Sequence, residues 1–250
     1  MPRTTMAATL LACLILTAGC GGSAPDVNAD DAAATSSTPS IATTPATTAG
    51  SVPASELWKK IESNAARAKS VRLIMSGEDD GERVTCDMRL SSSGKASGTL
   101  TFQVGKVTLR RIGKTVYFKG DRRFWADIGN SESKAMSKDW FRTTENVPDT
   151  AILFHFTDMD YLLKRMLNMN VLEKNDFTRV PGITIEGQKT VGLTTKWADT
   201  DLVYATQTEP SLPVNITVAK DKSRYMKFRE WNHSFTVVRP APAYDVEGDT

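Results

Sequence analysis

Between Arg83 and Leu90 the side chains alternate without a break: Val84, Cys86, Met88 and Leu90 fall on one side, Arg83, Thr85, Asp87 and Arg89 on the other. A strand sends successive side chains to opposite faces, so this segment needs a sheet with one apolar and one solvated face. The pattern recurs. Val71, Leu73 and Met75 interleave with Arg72 and Ile74, and Leu100, Phe102 and Val104 oppose Thr99, Thr101 and Gln103. Val116 and Phe118 oppose Thr115, Tyr117 and Lys119. Turn-forming residues at Asp79-Asp80-Gly81, Ser93-Gly94, Gly105-Lys106 and Gly113-Lys114 separate the segments, which predicts an antiparallel meander.

Helical spacing brackets this meander. Ser55 reads as an N-cap, followed by Leu57, Ile61, Ala65 and Ala68 on one helix face. Further on, Phe124, Trp125, Trp140 and Phe141 bracket a short helix around Ser133 to Ser137. Asp158 is placed to cap a helix carrying Met159, Leu162, Leu163, Met166 and Leu167. Strand patterning resumes from Ile183 to Lys196 and continues through Leu202 to Ala205, Val214 to Val218, Tyr225 to Glu230 and Phe235 to Val238. Helix, meander, helices, meander is the order of an α+β fold in which helices cover one face of a single large antiparallel sheet.

The N-terminus sets the compartment. Arg3, an apolar run from Met6 to Leu16, and small residues before Cys20 have the layout of an export signal. The sequence Leu16-Thr17-Ala18-Gly19-Cys20 resembles a bacterial lipobox, in which the Cys sulfur is diacylated and becomes the new N-terminus. An ordinary secretory signal or an uncleaved helix is the alternative, but the apolar stretch falls short of the roughly 20 residues a spanning helix needs. From Gly21 to about Val52 the chain is Ala, Thr, Ser, Pro and Asp without an aromatic residue, too apolar-poor to offset the entropy of ordering. The expected layout is a signal peptide over 1–19, a tether over 20–53 that holds the domain roughly 30 Å from the bilayer, and a folded domain over 54–250. Localisation follows: the extracytoplasmic face of the cell membrane, with the membrane itself held through Cys20.

Composition and motifs narrow the chemistry. A net charge of +2 with intermixed signs gives no basic face, so nucleic acid is not an expected partner. Cys13 lies in the signal and Cys20 is consumed by acylation, leaving Cys86 unpaired and expected to point inward as a small hydrophobe. Seven residues separate Gly105 from Gly113, where a phosphate-binding loop has four, and a strand rather than a helix follows Lys114-Thr115. His155 and His233 lie in no metal-ligand motif, and there is no nucleophile elbow. No catalytic set, cofactor or metal site is expected, although two carboxylates can meet in space without a sequence signature.

What remains is the apolar side of the sheet. A sheet of this length curls, and helices that cover its concave face incompletely leave an apolar cavity. The residues placed to line it are Val84, Met88, Leu90, Leu100, Phe102, Val116, Phe118, Phe156, Leu162, Leu163 and Met166. The same residues, with Trp125, Met159 and Trp197, also serve as ordinary core; closure by Leu163 and Met166 distinguishes the two readings.

Several elements in fixed order carry a resemblance. They are the lipobox at Cys20, the Thr/Ala-rich tether, Ala68-Lys69-Ser70-Val71, Gly98-Thr99-Leu100-Thr101, and Val116-Tyr117-Phe118-Lys119-Gly120 with Phe124-Trp125. Lys138-Asp139-Trp140, Leu212-Pro213-Val214-Asn215-Ile216 and Pro240-Ala241-Pro242 complete it. In this the chain resembles the actinobacterial lipoproteins of the LppX and LprG types, which share a curved half-barrel with the LolA and LolB carriers. The resemblance implies a strongly curved half-barrel with helices on its concave face, and a lipid or lipoglycan as ligand. The other function expected for such a scaffold is a non-catalytic envelope interaction or sensing lipoprotein with a filled core, using Arg83, Arg89 or Lys119 toward a protein partner.

Overall fold

The computed structural model describes residues 52–79, 82–127, 129, 132–147, 150–167, 177–195, 201–218 and 221–246. The expected signal, Cys20, the expected tether as far as Ser51, the turn expected at Asp80-Gly81, Lys196 and Trp197 lie outside the described residues. Helix α1 spans Ala54–Ala66, with Pro53 rather than Ser55 at its N-cap and Glu56 in its first turn, where a carboxylate suits the helix dipole. It buries Leu57, Trp58, Ile61 and Ala65. Strands β1 (Ser70–Asp79), β2 (Glu82–Ser91), β3 (Lys95–Phe102), β4 (Gly105–Ile112) and β5 (Thr115–Gly120) form the expected meander.

Next come α2 (Arg122–Asp127), α3 (Ser133–Met136) and β6 (Phe141–Thr144), then α4 (Ala151–Thr157) and α5 (Met159–Leu167). The second meander comprises β7 (Phe177–Val180), β8 (Thr184–Ile185), β9 (Gln188–Thr195), β10 (Asp201–Thr206), β11 (Pro213–Val218) and β12 (Asp221–Arg229). A last strand, β13, covers Tyr244–Asp245. The long strand expected over Ile183 to Lys196 is instead a hairpin, because Glu186 and Gly187 adopt left-handed φ of 50° and 80° and reverse the chain. Helices α2 and α4 have no counterpart in the periodicity: Ala151 to Thr157 is nearly all apolar, and such a short run cannot distinguish a helix turn from a strand.

The strands build one open half-barrel sheet in the order β13-β6-β5-β4-β3-β2-β1-β12-β11-β10-β9-β7, with β8 paired to β9. All pairings on this path are antiparallel except β13 with β6. Register aligns the apolar side chains in rows across it. One row runs Phe228, Leu73, Met88, Gly98, Leu109, Phe118 and Phe141 from β12 to β6. The rows and the buried sides of α1, α4 and α5 share one core cluster, so the helices pack on the concave face. Trp58 of α1 stacks on Phe177 of β7 at 5.0 Å, fastening the first helix to the far edge of the sheet.

The outer face is not simply wet. Between β12 and β13 the chain must cross seven inter-strand steps, roughly 33 Å at the usual spacing. It crosses on the convex side: Arg110, pointing away from the core, donates to the carbonyl of Val238 at 2.9 Å. At the far side Arg142 holds Asp245 through both carboxylate oxygens. Tyr117, expected on a solvated face, sits between Arg110 and Arg142 in the register and is 2% exposed. Phe235 to Val238 was expected to be a strand; it is this crossing strap. Phe235 and Val237 are half-buried while Thr236 and Val238 are exposed, so their alternation records extension with one-sided burial and no ladder partner.

The start of the strap is pinned by charge. Glu230 accepts from Arg89 at 2.7 and 3.0 Å and from Arg72 at 3.1 Å, while Arg72 also grips Asp87 at 2.8 and 2.9 Å. The hydrogen-bonded Arg89, then Arg72, hold the Glu230 carboxyl at about 2, against an ordinary 4.5. A carboxyl lowered in the folded state stabilises fully above its unfolded value, and this contribution fades as pH falls from 4.5 toward about 2. These groups are about a third exposed or more, so each pair is expected to contribute no more than about 1 kcal/mol. Glu230→Gln should therefore lower the melting temperature slightly at pH 7, with the deficit vanishing near pH 2. An equal deficit at both pH values would contradict this role.

Candidate functional site

The candidate site is the concave face and the roof over it. Met88, Leu90 and Val116 have no exposed surface, Leu100 and Met166 are 1% exposed, and Val84, Phe118, Leu162 and Leu163 are also buried. Phe102 and Phe156 keep partial exposure and pack against the same cluster. All the candidates but Val84 therefore belong to or pack against one apolar cluster. Leu163 and Met166 of α5 are buried in this layer. Cys86 is buried in this layer as well, and burial pushes its thiol well above the ordinary range, so it is no nucleophile.

At the β5–β6 end, aromatic rings close the layer. Trp125 of α2 lies 6.1 Å from Phe118 and 5.0 Å from Phe141, and Phe124 meets Trp125 edge-on at 5.3 Å. Asp121 accepts from the Phe124 amide at 2.9 Å, which starts the short helix that delivers these rings. The pair Phe124-Trp125 is thus helical, and the aromatic cluster, not a long apolar segment, forces that turn.

The roof is α4 and α5, joined at Asp158. Its Oδ1 accepts from the Tyr161 amide at 2.9 Å, the capping bond that the sequence predicts for α5. His155 of α4 stacks on Tyr161 of α5 at 4.2 Å and 9°, and Thr157 turns its hydroxyl back onto the carbonyls of Leu153 and Phe154. His155 thus serves the helix junction. Among the described residues no group of three metal-ligating side chains comes together.

Among the described residues one charged group is buried, and it lies beneath the roof. Arg111 of β4 follows Val107 and Leu109 on the inward side, its side chain 10% exposed. Its Nε donates to the Gly113 carbonyl at 2.9 Å, one terminal nitrogen reaches Asp158 Oδ2 at 3.1 Å, and the other reaches Glu145 Oε1 at 3.4 Å. The guanidinium carbon sits 5.6 Å from the centre of the Phe154 ring. The period-two rule that orients Val107 and Leu109 inward does the same for Arg111 and sends Arg110 out, so the signal was present in the sequence.

The convex side carries a separate cleft of about 440 Å³ between Ile185, Glu186, Gly187, Gln188, Val214 and Arg229. Glu186 fills the Arg229 fork with two bonds of 2.6 and 2.7 Å, and Arg229 points away from the apolar layer. Of the outward cations expected to meet a partner, Arg89 is held by Glu230 and Lys119 donates to the Lys138 carbonyl at 2.6 Å.

No protein-family model and no curated protein matches the chain. Among solved structures it is similar to MucB in the Pseudomonas aeruginosa MucA/MucB complex, with 12% identity over 76% of this chain and 59% of that one, at a TM-score of 0.32. An uncharacterized conserved protein from Thermus thermophilus aligns over 77% of this chain and 98% of that one, with 9% identity and a TM-score of 0.35. The chain is also similar to LprF from Mycobacterium bovis, with 11% identity over 75% of this chain and 97% of that one, at a TM-score of 0.46.

Proposed function

We propose that the chain is a non-catalytic envelope lipoprotein, anchored through Cys20 on the extracytoplasmic face, that takes the acyl part of a lipid or acylated glycolipid between its sheet and α4–α5. The observation that carries this reading is the roof. The apolar face that runs in register from β12 to β6 is covered by α1 together with two helices of only seven and nine residues, α4 and α5, that meet at a single residue, Asp158. Elements this short hold few contacts each and separate at low cost, and an acyl chain offers the same chemistry as the side chains it displaces. Met88, Met159 and Met166 supply flexible, polarizable surface that re-packs around a chain of variable length.

A second reading is favoured by the closed packing of Met88, Leu90 and Val116: a filled core, with the domain acting as an interaction or sensing module. Native mass spectrometry of the full chain, purified gently from membranes, separates the two. A lipid mass beyond the anchor supports carriage. A bare acylated chain overturns carriage and leaves the interaction reading.

A further inference from the structure

Arg111 differs from the other paired arginines of this fold. Arg72, Arg89, Arg142 and Arg229 each meet a carboxylate with two bonds between 2.5 and 3.0 Å. Arg111, the one charged residue buried among the described residues, makes only single, longer contacts of 3.1 and 3.4 Å to two different carboxylates. A guanidinium fork is built for a two-point oxyanion, and removing it from water is costly unless it is fully bonded. Here the most deeply placed fork donates from all three nitrogens, to the Gly113 carbonyl and to two carboxylates, yet meets no single carboxylate at two points.

Its position is specific. In the register Arg111 stands between Ala96 and Val116, inside the apolar layer, and its two carboxylate partners sit at the margin of the roof. Asp158 is 39% exposed at the α4–α5 junction, and Glu145 is 57% exposed after β6. The cation therefore sits where the apolar layer meets water, its two partners partly exposed to solvent.

We infer that Arg111 is the anchor for an anionic head group, phosphate or carboxylate, of an acylated ligand whose chain enters beneath α4–α5, with Asp158 and Glu145 holding its place in the empty domain. This rests on the carriage reading above and adds the charge class of the ligand. Binding exchanges two single contacts for one two-point contact, and the Asp158 carboxylate remains on the α5 cap through Oδ1.

The test is native mass spectrometry of the full chain held in an amphipol and titrated with dodecyl phosphate, 1-dodecanol and inorganic phosphate. Wild type should prefer dodecyl phosphate over dodecanol by about tenfold, the scale of one charge-assisted two-point contact. Arg111→Gln should erase that preference while keeping dodecanol binding, which also shows that the variant folds. Asp158→Asn should bind dodecyl phosphate more tightly than wild type, because it removes a competing carboxylate while Asn still caps α5. A preference that survives Arg111→Gln, or equal affinity of wild type for both amphiphiles, overturns the anchor and leaves carriage standing. Inorganic phosphate binding as tightly as dodecyl phosphate overturns the acylated ligand in favour of a free anion. Binding of neither amphiphile overturns carriage, and the anchor with it.

Discussion

Cys20→Ala should move the chain from the membrane pellet to the soluble fraction. Diacylation of the Cys sulfur adds two acyl chains, and at about 0.8 kcal/mol per buried methylene two long chains supply on the order of 20 kcal/mol of membrane attachment. The apolar run from Met6 to Leu16 is too short to span a bilayer, and among the described residues no helix is long and apolar enough to cross one. Fractionation before and after a carbonate wash reads the effect, and the mass of the N-terminal peptide shows whether it begins at an acylated Cys20. A variant that stays with the bilayer after the wash would falsify the anchor.

Gly98→Val should be the most destabilising single change in the sheet. Gly98 faces Met88 across the β2–β3 ladder within the long apolar row. A Cβ there would meet the Asp87 carbonyl oxygen at 2.0 Å, the Met88 sulfur at 2.6 Å and the Met88 Cα at 2.7 Å. The sulfur can swing away, but the backbone atoms belong to β2 and cannot move without opening the ladder. Overpacking against main chain is expected to cost roughly 3 kcal/mol or more, lowering the melting temperature by roughly 6–12 °C in a domain of this size. Gly77→Ala is the matched control, since nothing lies within 4 Å of its Cβ and its φ is ordinary. Should both variants melt together, the register of β2 on β3 is wrong.

Much of the architecture was legible because alternation reports directly on a half-buried strand. Val84 to Leu90, Leu100 and Val116 to Phe118 were read with the correct apolar side, and α5 with its Asp158 cap followed from helical spacing. The failures share a cause. Tyr117 and Phe235 to Val238 were assigned from local periodicity, but periodicity says only that a segment is extended and buried on one side, not which neighbour buries it. The strap that Arg110, the register partner of Tyr117, holds at Val238 comes from more than a hundred residues away. The helix α4 was missed because its short, nearly all-apolar run fits helix and strand alike, and the turn at Phe124-Trp125 because an aromatic cluster rather than propensity holds it.

The site was half visible. Its apolar residues came from the same alternation, yet Arg111 passed unnoticed because β4 was read only through the turns at its ends. Arg89 and Lys119 were read as cations available to a partner, a reading that ignores intramolecular acceptors such as Glu230 and the Lys138 carbonyl.

By itself, the sequence determined short-range quantities: the apolar side of β2, β3 and β5, the turns at Ser93-Gly94 and Gly113-Lys114 between them, and the helical face of α5. These depend on residue type and spacing along a few positions. Only the tertiary structure decided that one sheet order places β12 beside β1, that the chain end straps the outer face, and that a single buried guanidinium meets two exposed carboxylates beneath a two-helix roof. Those contacts join residues far apart in the chain. Their energies arise from burial and electrostatics that exist only once the layers have come together.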